Sequence, residues 1–207
     1  MEESGPFQTN GGSKEMAEPM LERRAVVAAL LRDPGDMLVV SGLGSTTYDA
    51  GAAGDRAFNF YLWGAMGAAA MIGLGIALAQ RSRRVLVLTG DGEALMGLGS
   101  LATIAAASPP NLAVAVLDNG RYGETGAQPS HTSLGTDLAA AAAACGWRAT
   151  TTVTTEGELE LLRARLRSEP LFAVIKIAAT EPERFLPPRD GAFLQQRFRA
   201  ALGIVAG

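Results

Sequence analysis

Two polar residues that follow apolar stretches could bind a metal ion together. Asp91 stands between two glycines after the apolar run 85–89, and Asn119 follows the apolar run 112–117. Carboxylate and amide oxygens are ligands that Mg2+ prefers, usually together with phosphate oxygens and water. If the two runs form neighbouring parallel strands, both side chains lie at the same edge of the sheet. The pattern therefore indicates a site for Mg2+ and a phosphate group.

The residues around Asp91 favour phosphate binding as well. Gly90 and Gly92 allow the backbone to approach a ligand closely. A helix is predicted to start near Glu93, and its first N–H groups would face an anion. A Gly-Asp-Gly sequence alone is also common in ordinary turns. The helix, strand and Asn-Gly that follow it over about thirty residues are much more specific.

Predicted strands and helices alternate along the chain. Strands are predicted at 37–41, 85–89, 112–117, 149–153 and 171–177, and helices at 19–32, 67–80, 93–107, 137–145, 156–167 and 192–203. Apolar strands without alternation are typical of a parallel sheet with helices on both faces. We therefore predict a doubly wound, mostly parallel α/β fold. Ligands of such sheets bind at the carboxyl ends of the strands, so the loops 42–66, 90–93 and 118–131 should line the site.

Length and composition limit the remaining possibilities. The 207 residues suffice for one domain, and we expect a disordered N-terminal arm at 1–15 and one domain at 16–207. The net charge of -3 gives no general reason to bind nucleic acid. The longest apolar stretch, 66–79, is too short and too rich in Ala and Gly to span a membrane. With one cysteine and no pattern of a signal peptide, a cytoplasmic location is the simplest interpretation.

The stretch from Gly90 to Gly120 resembles the diphosphate-binding motif of thiamine diphosphate enzymes, which begins with Gly-Asp-Gly and ends in Asn. The resemblance implies thiamine diphosphate and Mg2+ as cofactors. It also implies that the metal ligands are Asp91, Asn119 and the backbone carbonyl of Arg121. The residue before Asn119 is Asp118, at a position where the family often has a second Asn.

The segment FYLWGAMGAAAMIGLGIALA (60–79) resembles the loop and helix that hold the aminopyrimidine ring in the same family. The resemblance implies that the Gly64 carbonyl accepts a hydrogen bond from the 4'-amino group. It also implies that Met66 supports the bent conformation of the cofactor; the alternative is that Met66 is an ordinary core residue. The other residues implied to contact the cofactor are Gly44, Ser45, Ala65, Gly90, Gly92, Glu93, Ala94 and Tyr122.

Three motifs, FNFYLWGAMG, GDGEALMGLGSLATI and LDNGRYGETGAQPS, resemble the sulfopyruvate decarboxylase β subunits and the matching half of phosphonopyruvate decarboxylases. This similarity covers roughly 20–190. It implies decarboxylation of a 2-oxoacid similar to sulfopyruvate or phosphonopyruvate, with release of CO2 and an aldehyde. Two alternatives remain open: a subunit of a carboligase that forms an acyloin or an acetolactate-type product, and a non-catalytic regulatory subunit.

The resemblance covers only the diphosphate-binding part of these enzymes. The glutamate that activates the aminopyrimidine ring belongs to the pyrimidine-binding domain, so the resemblance implies a separate subunit that supplies it. His131, the only histidine, is a candidate catalytic residue, although a surface position is the alternative. Glu93 stands where small residues are commoner in the family. Its carboxylate would repel a diphosphate unless the side chain points away.

Overall fold

The computed structural model describes residues 20–204 and contains a six-stranded, entirely parallel sheet. Its strands are β1 (Leu38–Ser41), β2 (Asn59–Tyr61), β3 (Val85–Gly90), β4 (Leu112–Asp118), β7 (Thr150–Val153) and β8 (Leu171–Lys176). They are arranged in the order β2-β1-β3-β4-β8-β7. Two short strands, β5 (Arg121–Tyr122) and β6 (Gln128–Pro129), form a separate antiparallel ribbon after β4.

Helices cover both faces of the sheet. They are α1 (Arg23–Leu30), α2 (Ser45–Ala52), α3 (Ala69–Ala79), α4 (Asp91–Met96), α5 (Ser100–Ala107), α6 (Leu138–Ala144), α7 (Glu156–Ser168) and α8 (Gly191–Ala201). Buried residues of α1, α2 and α7 pack on one face, and those of α3, α5 and α6 pack on the other. Successive strand residues point to opposite faces of the sheet. Since the central strands are apolar along most of their length, both faces are apolar. The predicted doubly wound α/β fold is confirmed.

The sheet order places a binding crevice at the ends of β1 and β3. The helix after β1 packs on one face and the helix after β3 packs on the other, and the two strands are neighbours. The loops that leave these strands therefore diverge and leave a crevice, which is where doubly wound sheets bind their ligands. The neighbouring end of β4 borders the same crevice.

Two predictions about elements need correction. The loop predicted at 42–66 contains α2 and β2, and the helix predicted at 93–107 is two helices, α4 and α5. The interruption between α4 and α5 falls at Gly97, the residue that caps the end of α4. A Cβ atom there would overlap the carbonyl oxygen of Gly67, so the two backbones are in direct contact.

The predicted arm at 1–15 lies outside the described residues. Within 20–204, no helix is both long enough and apolar enough to cross a bilayer.

Candidate functional site

An open cavity of about 700 Å³, a volume that includes solvent at its mouth, lies at the carboxyl ends of β1, β3 and β4. Nine residues predicted to bind cofactor or metal line it: Ser45, Met66, Gly90, Asp91, Gly92, Glu93, Asn119, Arg121 and Tyr122. The sheet topology therefore brings together residues from three separate loops.

Asp91 is buried at the end of β3, with only 2% of its surface exposed. The Ser130 hydroxyl group donates a hydrogen bond to its Oδ2 atom, and the Thr132 hydroxyl oxygen lies 3.2 Å from the same atom. Burial raises the pKa of the Asp91 carboxyl, and the nearby charge of Asp118 acts in the same direction, while the two hydroxyl groups oppose the increase. A cation in the cavity would favour the ionised carboxylate.

Asn119 lies at the end of β4, the strand that pairs with β3. Its Oδ1 atom accepts a hydrogen bond of 2.9 Å from the backbone N–H of Arg121, which fixes the start of the following loop. An amide oxygen has two lone pairs, so Oδ1 retains acceptor capacity. Among residues 20–204, no three His, Cys, Asp or Glu side chains meet to hold a metal ion. The candidate ligand set therefore combines one carboxylate with an amide and a backbone oxygen.

A second buried carboxylate, Asp118, lies beside Asp91. Its Oδ1 atom accepts a hydrogen bond of 2.7 Å from the Thr132 hydroxyl, and Lys176 Nζ lies 2.5 Å from Oδ2. Sequence reasoning noticed Asp118 but did not find these partners. Since Asp118 and Lys176 are paired residues at the ends of β4 and β8, knowledge of the strand order would have revealed the ion pair. Lys176 compensates the charge that Asp118 adds beside Asp91.

The loop from Gly64 to Met66 is exposed, and Met66 lines the cavity with 43% of its surface accessible. Met66 is therefore not a core residue. Ala65 adopts a φ of +56°, which is uncommon for a residue with a Cβ atom. The contact between Gly67 and Gly97 holds this loop beside α4. Gly64 and Ala65 do not line the cavity.

The Glu93 side chain is turned toward β1. Its Oε2 atom accepts a hydrogen bond of 2.9 Å from Thr89, and the carboxyl group lies directly against Gly42. Burial raises the pKa of the Glu93 carboxyl, and the Thr89 hydroxyl and the N–H groups of Ala69 and Gly67 only partly oppose this.

Comparison with known proteins identifies the family. Residues 42–177 match the family described as "Thiamine pyrophosphate enzyme, C-terminal TPP binding domain". The chain belongs to this family. Thiamine pyrophosphate is another name for thiamine diphosphate, so the cofactor predicted from the motifs agrees with the family.

Relatives of this thiamine diphosphate-binding domain are decarboxylases. It is 49% identical over 128 residues to a phosphonopyruvate decarboxylase of Streptomyces hygroscopicus, a match that covers 61% of this chain and 31% of that protein. It is 38% identical over 155 residues to the sulfopyruvate decarboxylase subunit beta of Methanocaldococcus jannaschii, covering 74% of this chain and 82% of that protein. The chain thus spans about a third of the Streptomyces relative and most of the archaeal subunit.

A solved structure has the same fold. The benzoylformate decarboxylase from Polynucleobacter necessarius superposes with a TM-score of 0.65 at 21% identity, over 83% of this chain and 35% of that chain. This likeness supports the thiamine diphosphate-binding fold.

The remaining predicted residues of this thiamine diphosphate-binding domain lie around the cavity rather than in its wall. Gly44 precedes α2 with a φ of +80°, and the Glu124 carboxyl lies against it. Ala94, which belongs to α4, packs against the core. His131 is exposed, and its Nδ1 atom is 2.5 Å from the hydroxyl oxygen of Tyr122. Any effect of His131 on the cavity would act through Tyr122, whose ring packs on Gly92.

Proposed function

We propose that this chain is the diphosphate-binding subunit of a thiamine diphosphate- and Mg2+-dependent 2-oxoacid decarboxylase that releases CO2 and an aldehyde. The names of its relatives point to a substrate similar to sulfopyruvate or phosphonopyruvate. The observation that carries the proposal is the position of Asp91 and Asn119 at the ends of neighbouring strands in one cavity.

The residues at this end of the cavity fit the diphosphate and its metal ion. Asp91, Asn119 and the carbonyl of Arg121 offer three oxygen donors, which suit a hard cation. Ser130 and Thr132 both lie at the Oδ2 atom of Asp91, so their hydroxyl groups do not occupy Oδ1. In the proposal these residues hold Mg2+, and Gly90, Gly92 and Ser45 border the phosphate groups.

The exposed loop has a separate role in the proposal. Met66 places an apolar side chain at the mouth of the cavity, where it excludes water and supports the rings of the cofactor. Thiamine diphosphate, when bound, supplies the electron sink for decarboxylation. Gly64 would accept a hydrogen bond from the aminopyrimidine through its exposed carbonyl group.

A second chain of pyrimidine-binding type completes the site in this proposal. The archaeal relative, of which the match covers 82%, is named a subunit. In the Streptomyces relative the match covers only 31% of the protein. The exposed loop from Gly64 to Met66 is where the partner would approach and supply the activating glutamate.

Replacement of Asp91 tests the metal part of the proposal. In the complex with the partner, Asp91→Ala should raise the Kd for thiamine diphosphate in the presence of Mg2+ by at least about a hundredfold and abolish CO2 release. The domain should remain folded, because Ser130 and Thr132 can hydrogen-bond to one another at 2.8 Å. Calorimetric titration with and without Mg2+ measures the Kd for thiamine diphosphate.

The exposed Asp36 provides a matched control, since Asp36→Ala removes a carboxylate far from the cavity. That variant should bind the cofactor like the wild type. Unchanged cofactor affinity in Asp91→Ala would show that the metal is bound elsewhere.

A further inference from the structure

Arg23 is a buried cation in the wall of the cavity. It belongs to α1, is 5% exposed, and donates through Nε to Oδ2 of Asp49 on α2. Arg24 donates through its own Nε to the other oxygen, Oδ1, at 3.0 Å. Two guanidinium groups on one carboxylate leave this cluster with a charge of +1.

The two arginines differ in what their remaining nitrogens face. Arg24 donates through Nη2 to the carbonyl of Glu183 at 2.5 Å and does not line the cavity. Arg23 lines the cavity, and within residues 20–204 its Nη1 and Nη2 atoms have no hydrogen-bond acceptor. Arg23 therefore presents two unused donors and a positive charge to the cavity.

Arg23 also lines a second, more polar cavity next to the first. The two cavities share Ser45, Asn119 and Arg121 in addition to Arg23, and the second one adds Arg184 together with Glu181 and Glu183. Glu124 borders both and places a negative charge there, against Gly44. Arg23 thus stands where the two spaces meet, beside the start of α2.

The burial of Arg23 is not needed to neutralise Asp49, because Arg24 already provides a cation. Burying an additional guanidinium group costs free energy unless a further anion pairs with it. The planar fork of a guanidinium group suits the oxygens of a phosphate, phosphonate or sulfonate group. An oxyanion in the cavity would therefore pair with the charge of Arg23 that Asp49 does not neutralise.

We propose that Arg23 binds a tetrahedral oxyanion in the cavity. The oxyanion has two possible sources: the terminal phosphate of the cofactor and the sulfonate or phosphonate group of the substrate. The proposal rests on the proposed function. It places part of the anion recognition of the enzyme on this chain.

The experiment compares Arg23→Gln with Arg24→Gln in the complex with the pyrimidine-binding partner. Both variants remove one arginine from Asp49, but only the first removes the cation that faces the cavity. One arm measures the Kd of inorganic pyrophosphate with Mg2+ by calorimetry. The other measures KM for sulfopyruvate and for pyruvate at saturating cofactor.

A loss of pyrophosphate affinity of about tenfold or more in Arg23→Gln, with less than about threefold in Arg24→Gln, would assign the cofactor phosphate to Arg23. A similar increase in KM for sulfopyruvate alone, with KM for pyruvate unchanged, would assign the substrate group. Unchanged values in both arms, or equal losses in the two variants, would overturn the proposal.

Arg23→Gln leaves Asp49 with one cation. If this variant is too unstable to purify, the double variant Arg23→Gln/Asp49→Asn removes the buried ion pair as a unit. The same losses are expected from it. If neither variant folds while Arg24→Gln does, Arg23 is a structural residue and the proposal is wrong. If the wild type itself does not bind pyrophosphate with Mg2+, the proposed function fails together with this inference.

Discussion

At the scale of single residues, Glu93 is a carboxyl group in surroundings that disfavour its charge. Among residues 20–204, no donor makes a well-oriented hydrogen bond to its buried Oε1 atom, and burial raises the pKa of the carboxyl above its usual value of 4.5. An acid whose pKa is raised in the folded state stabilises the fold below its unfolded pKa. This contribution is lost as the pH rises through the folded pKa.

Glu93→Gln should therefore stabilise the protein at neutral pH without metal or cofactor. The amide can hydrogen-bond to Thr89, since a hydroxyl group accepts as well as donates. Removal of a charge from a poorly satisfied buried position should gain about 1 kcal/mol, which raises Tm by about 2–4 °C. Thermal unfolding at about pH 7.5 and at about pH 4, which is below the usual Glu pKa of 4.5, measures the change in Tm.

The gain should shrink toward zero at the acidic pH, where the wild-type carboxyl is also neutral. The exposed Glu181 is the control, and Glu181→Gln should change Tm little at either pH. A Glu93→Gln variant that is less stable than the wild type at neutral pH would contradict the argument.

Some residues of the site could be predicted from sequence and others could not. Asp91 and Asn119 follow recognisable strands, so their meeting at one edge needed only the assumption that the strands are neighbours. The pairing of Arg23 with Asp49 joins residues 26 positions apart on two helices, and one of these helices was not predicted. The pairing of Asp118 with Lys176 depends on the strand order, which no local pattern contains.

At the scale of elements, the contact between Gly97 and Gly67 positions the loop that carries Met66. A Cβ atom at residue 97 would overlap the Gly67 carbonyl, whereas one at Gly99 would meet no atom within 4 Å. Gly97→Ala should lower the free energy of unfolding by about 1–3 kcal/mol, and it should weaken cofactor binding because the loop is displaced. Urea unfolding and calorimetric titration measure the two effects.

Gly99→Ala is the matched control, two residues away at the start of α5. Its free energy of unfolding should stay within about 0.5 kcal/mol of the wild type. Equal effects of the two substitutions on the free energy of unfolding and on cofactor binding would mean that the contact with Gly67 does not position the loop.

Helix α2 and strand β2 were not predicted, because neither has a sequence typical of its element type. Helix α2 reads STTYDAGA, and six of its eight residues are Ser, Thr, Tyr, Asp or Gly, which are weak helix formers. It is held by packing against α1 and by the Asp49 ion pairs. Strand β2 has three residues, too few for an alternating pattern. The apolar strands β3, β4 and β8 were predicted because burial on both faces leaves a long apolar run.

At the scale of the whole molecule, the wall of the cavity combines polar and apolar residues. Asp91, Asn119 and Arg121 are among its polar residues, and Met66 and Met96 are exposed apolar residues that line it. In our proposal the polar residues hold a metal ion and a diphosphate, and the exposed methionines contact the rings of the cofactor. A second chain then covers the open cavity and supplies the missing acid.

The most direct test of this account is CO2 release from sulfopyruvate, phosphonopyruvate and pyruvate, with thiamine diphosphate and Mg2+. It should be measured for this chain alone, for a pyrimidine-binding partner alone, and for the two co-expressed. We expect turnover only from the pair, with sulfopyruvate or phosphonopyruvate preferred over pyruvate. Turnover by this chain alone, or no CO2 from a pair that binds the cofactor, would contradict the account.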